Sequence, residues 1–160
     1  MMDNYSYADI ALEDLQASKA LLALQMYNHS ARLCQQYVEK IFKEIIFRLG
    51  SEEKDMFALH HHNVYKLSSR VAELTNTKFS KDDIGFFRSL TDYYFDTNYP
   101  GENYVRIQKE EADEVYASTL LFAGKMQPLL SQLTSEADSK YAHHKVFIEK
   151  ELAQQVEEAN

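Results

Sequence analysis

Ala31-Arg-Leu-Cys-Gln-Gln-Tyr-Val-Glu-Lys-Ile-Phe-Lys43 decides the fold. Cys34, Val38 and Ile41, continued by Ile45 and Leu49, recur at three- and four-residue steps and so share one face of a helix. Gln36, Glu39, Lys40 and Lys43 line the opposite side, with Glu39 and Lys43 at the i,i+4 spacing of an ion pair. A polar helix face is by default solvated or tied to a neighbouring helix, and that reading is preferred here to a nucleotide site or a polar dimer seam. Asn28 suits the start of this helix as a cap, and Gly50 suits the left-handed residue that closes one.

The same periodicity extends in both directions. A first helix is expected from Ser6 to Leu24, capped by Ser6 with Asp9 three residues on. It carries two apolar stripes, Ala8/Ala11/Leu12/Leu15/Leu22 and Ile10/Ala17/Leu21/Leu24, and so should face more than one neighbour. Residues 51–59 read as a loose turn or short helix. A third helix spans about Asn63 to Leu74, and Ser80 with Asp83 opens a fourth, with Ile84, Phe87, Leu90 and Tyr94 inward. A fifth begins at the acidic cluster Glu110, Glu111, Asp113 and Glu114. Pro128 should kink or stop it. The tail from Ser135 to Glu158 patterns as a sixth helix, with Ala137, Tyr141, His144, Ile148, Leu152 and Val156 on one stripe. The expected fold is therefore all-α: an up-and-down antiparallel bundle of about five helices over residues 1–133. An additional C-terminal amphipathic helix, residues 134–160, packs on the bundle or on a partner.

Composition narrows the function classes. With 160 residues, 45% hydrophobic and 26% charged, one globular domain fits and wholesale disorder does not. A formal charge of -8 argues against a protein gripping nucleic acid through a broad basic surface. The single cysteine, Cys34, rules out an internal disulfide and suits a reducing cytoplasm. The first residues lack the pattern of a signal peptide, and no apolar run approaches membrane-spanning length. A soluble cytoplasmic protein is expected.

The interruption that stands out is Asp96-Thr-Asn-Tyr-Pro-Gly-Glu-Asn-Tyr-Val105, which holds one of two prolines and one of four glycines. Tyrosine-rich loops on a rigid helical frame are common homes of function. Tyr93, Asn98, Tyr99, Pro100 and Gly101 are candidate ligand contacts, because a tyrosine face stacks on a base while its hydroxyl still hydrogen-bonds. Arg88 and Arg106 flank the loop and suit an oxyanion. The alternative is that Tyr99 and Pro100 plug the bundle end and Gly101 permits a turn. His60-His61-His62 invites a metal reading, but adjacent side chains diverge and no ligand spacing completes a shell. His62 is better read as a cap or hydrogen-bond partner at the start of the third helix. No metal is expected. No nucleophile triad, glycine-rich phosphate loop or Walker motif is present.

Three stretches taken together resemble the HEPN family (higher eukaryote and prokaryote nucleotide-binding domains). Residues 31–43 resemble its Gln-Gln-x-x-Glu-Lys-x-x-Lys run. His62-Asn63-Val64-x-x-Leu67 resembles its His-Asp-Leu-x-x-Leu, and Tyr99-Pro100-Gly101 after Tyr93-Tyr94 resembles its Tyr-x-x-x-Arg-Tyr-Pro-Gly. The likeness spans roughly residues 6 to 130. Asn98 stands where many members carry arginine. The Arg-x(4-6)-His pair of the ribonuclease branch is absent, since none of Arg32, Arg48, Arg70, Arg88 or Arg106 has a histidine at that spacing. The resemblance, with that pair missing, implies a non-catalytic module that binds a nucleotide-like ligand or a protein partner and needs no cofactor, while the two-striped helices point to a homodimer that buries the second stripe against a twin. It also implies a small nucleotidyltransferase as partner in a toxin-antitoxin-like or defence setting. A ribonuclease using His62 with Arg88 or Arg106, or a structural adaptor working through the tail helix, are the alternatives.

Overall fold

The computed structural model describes residues 5–96, 100–102, 104–133 and 139–160. Seven helices follow one another: α1 (Tyr7–Ala23), α2 (Tyr27–Leu49), α3 (Glu53–Ala58), α4 (Val64–Thr75), α5 (Lys81–Asp96), α6 (Lys109–Leu133) and α7 (Ser139–Ala159). Among the described residues there is no strand, and the chain is the all-α bundle its periodicity predicts. The loose segment after Gly50 has condensed into the short α3.

Local chemistry sets most of the helix starts. Ser6 accepts the Asp9 amide while the Asp9 carboxylate accepts that of Ser6, a reciprocal capping box. Ser80 and Asp83 do the same for α5, and the Asn63 side chain caps α4. Three expectations need correcting. Asn28 is not the cap of α2, which starts at Tyr27 after Met26 without a side-chain cap. Gly50 is extended rather than left-handed, with φ -73° and ψ 140°. Its glycine answers a steric demand instead: a Cβ there would lie 2.6 Å from the Ile46 carbonyl oxygen and 2.7 Å from the Asp55 side chain. Pro128 does not end α6, which runs on to Leu133.

α2 is the axis of the bundle, with α1, α3, α4, α5 and α6 all against it. Its apolar face, Cys34, Val38, Ile41 and Ile45, is fully buried. An edge-on cluster of Phe42, Phe79, Phe87 and Phe122 fills the centre, with ring centroids 5.0 to 5.9 Å apart. Small side chains let α1 close on α2. Ser18 and Ser30 each donate to the other's carbonyl at 2.9 Å, and burial pushes the Cys34 thiol beside them up to about 11. The second α1 stripe stays largely uncovered, with Ile10 and Leu24 exposed. α7 lies against α6 and α1. Tyr141, His144, Ile148 and Glu151 are its buried residues.

Candidate functional site

The polar strip of α2 is not a solvated face. Glu39 is 2% exposed, Gln35 is fully buried and Lys43 is 6% exposed. Four donors converge on the Glu39 carboxylate. Lys43 Nζ reaches Oε1 at 2.7 Å, the ion pair that the spacing predicts. His62 Nδ1 meets the same oxygen at 2.8 Å. Gln35 donates to Oε2 at 2.7 Å, and Gln36 contributes a longer contact at 3.4 Å. Gln36 passes the network on, donating to Gln35 Oε1 and accepting from Lys40 at 3.2 Å. Lys40 in turn pairs with Asp14 of α1, whose carboxyl is raised by burial although Lys40 pulls it down. A buried carboxylate without partners would be costly, so this convergence is what makes the placement tolerable. The strip ties α1, α2 and the start of α4 together. Burial is the part that sequence reasoning missed.

His62 is about half exposed, and its ring is oriented by Glu39 just ahead of the α4 cap. His60 and His61 are exposed. Among the described residues no group of three or more His, Cys, Asp or Glu side chains is arranged to hold a metal ion.

The residues around the loop separate into distinct neighbourhoods. Arg88 lies over the Tyr65 ring, 4.6 Å from its centroid. It lines a shallow depression with Asn63, Tyr65, Thr91 and Asp92. Tyr93 donates to Glu111 of α6 at 2.6 Å, and burial with that carboxylate drives its hydroxyl pKa well up. Pro100 and Gly101 are exposed. Gly101 sits at φ +152°, which L side chains rarely adopt, and its carbonyl accepts the Tyr104 amide at 3.1 Å. Asn98 and Tyr99 lie outside the described residues. Arg106 is exposed and lines a different depression, of about 350 Å³, with Tyr27, Asn28, His29 and Tyr104. Among the described residues Arg88 and Arg106 thus line separate depressions.

Asn28 explains where the second neighbourhood comes from. Its side-chain nitrogen donates to the Val105 carbonyl at 2.8 Å and to the Tyr104 hydroxyl at 3.1 Å. Its oxygen accepts the Ile107 amide at 2.7 Å. One side chain in the first turn of α2 thus fixes the segment after the loop, and buried Ile107 anchors it below. The remaining arginines are committed. Arg70 binds Asp55 and Glu73, Arg48 binds Glu44 and the Leu133 carbonyl, and Arg32 meets His29.

A family model described as HEPN domain matches residues 6–123. No curated protein and no solved structure matches the chain. Among the described residues no helix is long and apolar enough to cross a membrane.

Proposed function

Because the chain belongs to the HEPN domain family, matched over residues 6–123, we propose that it is a nucleotide-related binding module without catalytic activity of its own. The observation that carries this reading is the fate of the α2 motif. Its Gln35, Glu39 and Lys43 are spent on each other and on His62 inside the bundle. They brace the scaffold and leave ligand contact to exposed groups elsewhere, Arg106 after the Pro100–Gly101 turn and Arg88 on α5 among them. Titration calorimetry with nucleotides and incubation with mixed RNA test the two halves together. Saturable nucleotide binding with intact RNA is the expected result. Absence of binding at millimolar nucleotide removes the ligand half.

The partner half is a second copy of this chain and a small nucleotidyltransferase. What supports self-association is the uncovered second stripe of α1, with Ile10 38% and Leu24 68% exposed. Light scattering at a monomer mass would refute the homodimer. Co-expression and co-purification with a nucleotidyltransferase encoded beside it tests the other partner.

A ribonuclease is the second reading, favoured by one feature. His62 is half exposed and held by a buried carboxylate, as a general base is oriented, and Arg88 lines the depression that starts at the next residue, Asn63. RNA cleavage abolished by His62→Ala would replace the first reading with this one.

A further inference from the structure

We propose that the depression between the first turn of α2 and residues 104–108 is the nucleotide site. It would take the phosphate of a nucleoside phosphate on Arg106 and His29, with the base directed toward Tyr27 and Gln25. This inference rests on the binding reading above and assigns that function to particular side chains.

The electrostatic argument comes first. The chain carries 25 acidic residues against 17 basic ones, yet the wall of this depression holds Arg106 and His29 and no carboxylate. Three other depressions among the described residues differ: Asp92 lines the one at Arg88, Glu44 the one at Phe47, and Asp113, Glu151 and Glu158 the larger one beside α7. Among the described residues Arg106 has neither an ion pair nor a hydrogen bond, so its planar fork of donors is available to an oxyanion.

His29 is preset as a second donor. Its Nδ1 lies 3.0 Å from Arg32 Nη2. A guanidinium can only donate, so Nδ1 accepts and the ring proton sits on Nε2. Arg32 acts as a positioning residue, holding the tautomer that offers an N–H away from itself. The wall itself is rigid, because the three Asn28 hydrogen bonds fix Tyr104 and Ile107 to α2. His29, already held by Arg32, therefore loses less freedom than an unheld side chain when a ligand arrives.

The aromatic and amide groups then set the ligand's direction. At about 350 Å³ the depression is at the small end for a ligand site. It shares Gln25 and Tyr27 with the neighbouring depression of about 660 Å³ under α1, α6 and α7. In that larger space the two lysines, Lys19 and Lys109, are already paired with Glu151 and Asp113, which leaves no free cation for a phosphate among the described lining residues but leaves room for an uncharged base. Tyr27 and Tyr104 supply stacking faces, and the amides of Gln25 and Gln108 match the edges of a purine or pyrimidine. The phosphate end therefore belongs at Arg106 and the base end at Tyr27.

Calorimetry with AMP, adenosine and inorganic phosphate, on the full chain and on Arg106→Ala, His29→Ala, Arg88→Ala and Lys78→Ala, tests the assignment. The substituted residues are at least partly solvent-facing, and circular dichroism confirms that each variant folds. Losing one charge-assisted contact weakens AMP binding by about tenfold or more. That loss is expected in Arg106→Ala, with a smaller one in His29→Ala and none in Lys78→Ala. Adenosine should bind more weakly than AMP on the unaltered protein. AMP binding unchanged in Arg106→Ala, or lost only in Arg88→Ala, overturns this site while leaving the binding function standing. If AMP, adenosine and phosphate all fail to bind the unaltered protein, both fall.

Discussion

Acidification should loosen the protein through His144. This imidazole is 3% exposed, shares a 2.8 Å hydrogen bond with the Tyr37 hydroxyl, and lies between the rings of Tyr37 and Tyr141. Its other nitrogen, Nδ1, has no partner among the described residues. A proton added there would place a charge in an apolar setting. Burial accordingly holds the pKa down from 6.5 to about 4, against a weak upward pull from Asp9. The folded form binds its proton less readily than the unfolded chain, so stability from this group is complete above pH 6.5. It is lost as pH falls from there toward 4. The full effect is about 3 kcal/mol, and about 2.5 kcal/mol of it should be gone at about pH 4.5.

Urea unfolding of the unaltered protein and of His144→Gln, at about pH 7 and about pH 4.5, measures this directly. Other groups titrate in the same range. The raised Asp14 carboxyl acts in the opposite direction, and Asp55, held down to about 2, loses its contribution only below its unfolded value of 3.8. The comparison between the two proteins cancels them. The unaltered protein should lose about 2 kcal/mol more than the variant between the two conditions. Equal losses, or a His144 ring that titrates near 6.5 by NMR, would refute the reasoning.

Other perturbations follow from named contacts. Gly50→Ala puts a methyl group against the Ile46 carbonyl and Asp55, and should cost about 2 kcal/mol in chemical denaturation. Ile148→Ala empties a site that is 1% exposed, where α7 is buried against the bundle, and should cost about 3 kcal/mol by the same assay. Asn28→Ala removes the acceptor of the Ile107 amide, whose hydrogen exchange should accelerate by about tenfold while the global melting transition shifts little. Asp55→Ala strands the amides of Ser51 and Glu52 and takes from Arg70 its buried partner. It should destabilise by roughly 2 kcal/mol in thermal or urea unfolding.

Much of the fold is local and was therefore legible. Ser6 with Asp9 and Ser80 with Asp83 are capping pairs three residues apart, and a spacing of that kind survives into any tertiary context. The Glu39–Lys43 pair is legible for the same reason. What escaped depends on contacts between distant residues. Asn28 looks like a helix cap, but its partners lie 76 to 79 positions away. Periodicity reports that the α2 strip is polar but not what covers it; Asp14 of α1 and His62, just ahead of α4, do so. Gly50 was located correctly and explained wrongly, since a close approach by Asp55 leaves no trace in the sequence. Within the proposed site, Arg106 stands beside the loop in the sequence, whereas His29 joins it only where residues 104–107 fold back on α2.

The bond between Tyr37 and His144 joins positions 107 residues apart. A ribosome adding about 5–20 residues per second needs roughly 5–20 s to cover that distance. Throughout that interval the nascent chain presents the Tyr37 side of α2 with no cover from α7. The Tyr37–His144 bond, and with it the burial of that ring pair, can form only after the last helix has been made.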